Sequence, residues 1–173
     1  MDEKIARRVV EKYLEKRQTR FKMRKEREAG PDILIEGVAL EVKGSDLNEK
    51  ETLKQLTRYV SEYAGLIFAF PLDKLTLYLL YSLYYLEAAT KHVDVLKPRS
   101  IRVLLLAEIE GSYFAIEHES VESLLKEIGS KLAAKASLPY GTKPQEIGPH
   151  VSHDLLDIEG AVQTVIREEL AKY

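Results

Sequence analysis

The stretch Gly30-Pro31-Asp32-Ile33-Leu34-Ile35-Glu36-Gly37-Val38-Ala39-Leu40-Glu41-Val42-Lys43-Gly44 decides how this chain folds. Gly30-Pro31 is a punctuation mark, because glycine turns freely and proline fixes φ and lacks an N–H. Two short apolar runs follow, 32–35 and 38–42, separated by Glu36-Gly37. That pattern predicts a β-hairpin with a two-residue turn, although Glu-Gly is a poorer turn than Asn-Gly or Asp-Gly. In this register Ile35 pairs with Val38, Leu34 with Ala39, Ile33 with Leu40, and Asp32 with Glu41. Directly opposed Cβ atoms lie about 4.5–5.5 Å apart, and like charges there destabilise the pair. A divalent cation between the carboxylates relieves the repulsion, and Mg²⁺ takes such hard oxygen ligands together with water and phosphate. Side chains alternate along a strand, so Glu41 and Lys43 share a face while Val38, Leu40 and Val42 point the other way into a core. Two carboxylates with an ammonium two residues on suit phosphodiester hydrolysis. The metal lowers the pKa of a bound water, and the lysine positions that water or counters the developing charge.

Outward from the hairpin, the pattern alternates helix and strand. Residues 3–17 carry Ile5, Ala6, Val9, Val10, Tyr13 and Leu14 at helical spacing, with charges between them. The charged stretch 20–28 reads as a first edge strand with a loop. After the hairpin, Asn48 and Glu51 have the spacing of a capping box and open a helix with Leu53, Leu56, Val60 and Ala64 on one face, ending near Gly65. The continuous apolar run 66–70, closed by Pro71, predicts a buried central strand. Residues 72–90, rich in Leu and Tyr, predict a helix too short and too tyrosine-laden to span a membrane. Strands at 101–109 and 113–118 flank Glu110-Gly111, a helix follows at 120–136, and a Pro/Gly loop at 138–149 leads to a last helix at 154–172. The expected fold is therefore α/β, a mixed β-sheet flanked by helices. It forms one domain over 1–173, with the core at about 3–118 and a helical C-terminal extension at about 119–173.

Composition bounds the chemistry. With 173 residues, 45% apolar and 31% charged, the chain is long enough to bury a core. It has no cysteine, which excludes disulfides and thiolate chemistry, and the opening Met-Asp-Glu-Lys has no apolar leader, so a cytoplasmic setting is expected. Absent Cys, two Met and abundant Glu and Lys hint at a heat-loving source. The net charge of −2 hides an asymmetry: residues 1–29 hold eleven Lys/Arg against six Asp/Glu, and the remainder is acidic. A basic arm on an acidic body fits either a polyanionic partner or a solvated helix face.

Gly30-Pro31-Asp32 followed by Glu41-Val42-Lys43-Gly44 resembles the PD-(D/E)XK nuclease superfamily, whose members include restriction endonucleases, archaeal Holliday-junction resolvases and RecB-type exonucleases. Gln55-Leu56-Thr57-Arg58-Tyr59 resembles the Gln-x-x-x-Tyr motif of the RecB-like branch, and residues four apart share a helix face. The resemblance covers roughly residues 5–70. It implies a restriction-endonuclease-like sheet and a Mg²⁺- or Mn²⁺-dependent nuclease acting on DNA in repair, recombination or defence. Asp32, Glu41 and the Val42 carbonyl would hold the metal, Lys43 would serve the attacking water, and Gln55 would order the site, supported by Tyr59. Several branches place a further acid on the first helix, for which Glu11 is the candidate and Glu15 the reserve. Arg7, Arg8, Arg20, Lys22, Arg24 and Arg58 would be phosphate contacts.

Other features carry less. A lone acid-x-Lys triplet is common, and Asp2-Glu3-Lys4 is a second one in this chain. His150, His153 and Asp154 lack familiar metal-site spacing, and Ser152 and Asp154 read as a helix cap. Gly141-Thr142-Lys143 lacks the rest of a phosphate-binding loop. Tyr78, Tyr81, Tyr84 and Tyr85 could stack bases, but such a stripe more often marks a core or a subunit interface, here of a homodimer. The rival to a nuclease is a non-catalytic nucleic-acid-binding or complex-forming protein on the same scaffold.

Overall fold

The computed structural model describes residues 1–24, 29–92, 101–109 and 111–135. The predicted loop at 138–149, the last helix, His150, His153 and Gly141-Thr142-Lys143 lie outside them. The chain divides into two compact units, Met1–Leu124 and Leu125–Tyr173.

The first unit is built on a six-stranded mixed sheet in which every strand neighbours the next in sequence. The strands are β1 (Lys22–Met23), β2 (Ile33–Ile35), β3 (Val38–Val42), β4 (Gly65–Pro71), β5 (Ile101–Ile109) and β6 (Ser112–His118). β2 runs antiparallel to both β1 and β3, β3, β4 and β5 are mutually parallel, and β6 returns antiparallel to β5. The helices are α1 (Glu3–Lys16), α2 (Glu49–Glu62), α3 (Leu77–His92) and α4 (Val121–Lys135), the last crossing into the second unit. The result is an α/β fold with a mixed sheet flanked by helices. Among the described residues no helix is long and apolar enough to cross a membrane.

Local chemistry accounts for the elements. Asp2 caps α1 by accepting from the Ile5 N–H at 2.8 Å, and Asn48 caps α2 by accepting from Glu51 N–H at 3.2 Å, as the spacing of Asn48 and Glu51 predicts. The hairpin register is the expected one, Ile35 to Val38, Leu34 to Ala39 and Ile33 to Leu40. Its turn puts Glu36 at φ 47° and Gly37 at φ 87°, the two left-handed residues of a type I′ turn. The parallel pairs β3–β4 and β4–β5 require crossovers, which α2 and α3 supply. The stretch at 72–90 departs from expectation at its start: a 3₁₀ turn at Leu72–Lys74 comes first, and α3 begins only at Leu77, after the Thr76 hydroxyl accepts from Leu79 N–H.

One face of the sheet buries Ile33, Leu40, Val42, Ile67, Ala69, Leu104 and Leu106 against Ala6, Val9, Val10 and Leu14 of α1. The other face carries Leu66, Phe68, Phe70, Val103 and Leu105, and α2 packs on β4 with Leu56, Tyr59 and Val60 buried. β3 is thus covered on both sides, the usual state of a parallel strand in an α/β sheet. α1 starts hard against the end of β3: a Cβ on Gly44 would stand 2.3 Å from the Glu3 nitrogen, and Ser45 N–H donates to the Met1 carbonyl at 2.8 Å.

Candidate active site

The site forms where the hairpin runs out. Past the last ladder pair, Ile33 with Leu40, the register brings Asp32 beside Glu41 and Pro31 beside Val42. Pro31 has no N–H to offer the Val42 carbonyl. The Asp32 carboxylate turns across the strand end, and its Oδ2 accepts the Val42 N–H at 2.9 Å. The proline therefore cannot donate to the Val42 carbonyl, and the aspartate fixes the strand that carries it.

Asp32 Oδ1 accepts from Arg7 Nη2 of α1 at 2.5 Å and from Arg24 Nη2, just past β1, at 2.9 Å. Arg24 is held there by its own N–H on the Asp32 carbonyl at 2.9 Å and by Nη1 on the Gly30 carbonyl at 2.6 Å. Arg7 also meets Glu3 at 3.1 Å. On Glu41, Oε1 takes a hydrogen bond from Lys43 Nζ at 2.6 Å, whereas Oε2 is buried without a partner, as is Arg7 Nε. Burial pushes the Glu41 carboxyl up, and the Asp32 charge pushes it further; Lys43 and Arg24 pull it back. The two acids are close enough to feel each other electrostatically, as the paired register requires.

α2 completes the cluster. Gln55 Nε2 donates to the Tyr59 hydroxyl at 2.9 Å, so the four-residue spacing does place both on one face. Burial raises the Tyr59 phenol, its hydrogen bond with Gln55 opposes this, and the Glu41 charge raises it again, which sets the pair within electrostatic reach of the acids.

The sequence candidates separate accordingly. Asp32, Glu41, Lys43 and Val42 come together, and the Gln55–Tyr59 pair is linked to them through the charge of Glu41 on the Tyr59 phenol. Arg7 and Arg24, read in the sequence as phosphate contacts, lie at the centre of the cluster on Asp32. Arg58 is half-exposed, stacked over the Tyr59 ring at 5.1 Å and 3.6 Å from Glu62. Arg8, Arg20 and Lys22 are exposed and away from the acids. Among the described residues no three Asp, Glu, His or Cys side chains converge, so Glu11 does not join the acid pair. The helical acid that does approach is Glu3, through Arg7. Asp32 and Glu41 are each 1% exposed. The cations that pair with them reach solvent in part: the side chains of Arg7 and Arg24 on Asp32 and of Lys43 on Glu41 are 29, 28 and 21% exposed.

The residues fit a divalent ion chemically. Two carboxylates, one with a buried unpartnered oxygen, and the nearby Val42 carbonyl would form an all-oxygen set of the kind Mg²⁺ or Mn²⁺ takes. A buried unsatisfied carboxylate oxygen costs on the order of 1–3 kcal/mol or more, so its presence calls for a function. No family model, curated protein or solved structure matches the chain.

Proposed function

We propose that this protein is a metal-dependent nuclease that hydrolyses phosphodiester bonds of DNA. The observation that carries the reading is the Asp32–Glu41 pair at the hairpin end, with Glu41 Oε2 buried and unpartnered, Lys43 on Glu41 and Arg7 and Arg24 on Asp32. Asp32, Glu41 and the Val42 carbonyl would hold Mg²⁺ or Mn²⁺, which when bound supplies a Lewis acid and a water of lowered pKa. Lys43, on the same face as Glu41, steadies the attacking oxygen or the charge that develops on phosphate. Gln55, oriented by Tyr59, orders the site from above. Arg7 and Arg24 guard the entrance. A phosphate offers their guanidiniums the same charge-assisted pairing that Asp32 now provides, so a bound substrate would take over Arg7 and Arg24 and leave Asp32 free as a ligand.

The burial of both acids under two arginines favours one rival, a nucleic-acid-binding protein in which the cluster is a structural ion-pair network. Cleavage of linear, flapped and branched DNA with Mg²⁺ and with Mn²⁺ separates the two. Wild type should cut, and Lys43→Ala should still unfold cooperatively, at a melting temperature lowered by the loss of Glu41's partner, yet lose turnover by on the order of 10²-fold or more at temperatures where it is folded. A wild-type chain that binds DNA but cuts none of these substrates under either ion would leave the rival standing.

A further inference from the structure

α1 has two polar flanks. One carries Glu3 and Arg7 to the acid pair. The other carries Arg8, Lys12 and Lys16, four residues apart, into a groove of about 670 Å³ between α1 and the start of β6, where Tyr113 and Phe114 form the opposite wall. No acid lines this groove, and among the described residues none pairs with its three cations. Glu117, beyond Ala115 on β6, is already taken by Arg17 at 2.5 Å, Tyr13 at 2.6 Å and Arg102 at 3.1 Å. Glu108, opposite Tyr113 in the ladder, stands outside the lining. The result is an uncompensated positive row facing exposed aromatic surface, with Tyr113 43% exposed.

The register ties the groove to the site. Val42 pairs with Ala69; two residues on, Pro71 pairs with Leu106, and Leu106 with Ala115. Ala115 is thus level with the residue just past Lys43, three strands or roughly 14 Å across at about 4.8 Å per strand. The groove lies on the α1 face and Glu41 and Lys43 on the opposite one, so a strand in it meets the acids around the sheet end. Arg8, Lys12 and Lys16 are spaced about 6 Å apart along the helix at about 1.5 Å per residue, close to the step between neighbouring phosphates of an extended strand.

From this we infer that the groove holds a single strand of nucleic acid, with successive phosphates on Arg8, Lys12 and Lys16 and a base stacked on Tyr113. The inference rests on the nuclease reading only in naming where the substrate strand lies; its chemistry is that of cationic grooves with aromatic platforms, which bind single strands with little sequence preference.

The test is binding of a fluorescein-labelled oligodeoxythymidine to the full chain in EDTA, read by anisotropy across a salt series, so that cleavage plays no part. The Arg8→Ala/Lys12→Ala/Lys16→Ala variant should bind at least tenfold more weakly and lose about 2 from the salt slope, given roughly 0.7 per phosphate neutralised on a single strand. Tyr113→Ala should weaken binding about tenfold with the slope unchanged, as expected for a lost stacking partner. Lys12→Arg/Lys16→Arg, which keeps the charge, should bind as wild type does. Wild-type affinity and slope in the triple variant, with its melting temperature intact, would overturn the inference. So would a concentration-dependent self-association that the triple variant abolishes while oligonucleotide binding persists, since the groove would then seat a second copy. A wild type that binds through this groove but never cuts would instead sink the nuclease reading and leave the groove assignment intact.

Discussion

Asp32 does three things at once: it completes the strand end through Val42 N–H, it neutralises Arg7 and Arg24, and it stands beside Glu41. Asp32→Ala removes the buried carboxylate that Arg7 and Arg24 share, leaving Arg7 with Glu3 and Arg24 with the Gly30 carbonyl, and strands the Val42 N–H. Breaking a buried ion pair from one side costs on the order of 3 kcal/mol, and a fall of that size in unfolding free energy is expected from denaturant titration. Glu41 behaves oppositely, because burial and the Asp32 charge hold its pKa above the ordinary value. The folded chain therefore keeps a proton on Glu41 at pH values where the unfolded chain has already released it. Between those two pKa values the folded state binds more protons, so stability falls as pH rises. Relative to Glu41→Gln, which has no proton to lose, the metal-free wild type should lose stability as pH climbs from about 4.5 through the raised pKa, measured as melting temperature against pH. Equal pH profiles for the two chains would show that Glu41 is not held in the raised state.

At the scale of elements, the hairpin was legible because three signals agreed: period-two apolar runs, a two-residue spacer with glycine, and proline before it. Glu36 is the weak point, since a glutamate pays for its φ of 47° where asparagine adopts it more readily. Glu36→Asn should stabilise the chain by about 0.5 kcal/mol without moving the hairpin register, checked by chemical denaturation and by the unchanged divalent-ion affinity of the site. The α2 start was equally legible from Asn48 and Glu51. The edge strand was not. Residues 20–28 are charged throughout and offer no apolar alternation, so nothing local says that Lys22 meets Leu34 and Met23 meets Ile33. That register is what carries Arg24 onto Asp32, and it explains why an arginine taken for a phosphate contact proved to be part of the acid cluster.

Across the whole molecule, the site joins pieces that the chain keeps apart: Arg7 from α1, Arg24 past β1, Asp32 before β2, Glu41 and Lys43 at the end of β3, and Gln55 with Tyr59 on α2. Gly44 lets α1 press against the end of β3, which brings Arg7 within reach of Asp32. A ligand that binds only this assembled form stabilises it by mass action, about 2.7 kcal/mol at a hundredfold excess over Kd. Mg²⁺ or Mn²⁺ should therefore raise the melting temperature of the wild type by several degrees and leave that of Asp32→Ala unmoved. A shift of equal size in both chains would place the ion elsewhere. The sequence by itself determined the hairpin, its register, the Asn48 cap of α2 and the facing acids, because these follow from backbone periodicity and turn chemistry within about twenty residues. Only the tertiary structure decided that two arginines would close over Asp32, that β3 would be covered on both faces, and that Arg8, Lys12 and Lys16 would face Tyr113. Those contacts depend on how helices dock across a sheet, and docking is set by the shape and packing of the whole core rather than by any local run of residues.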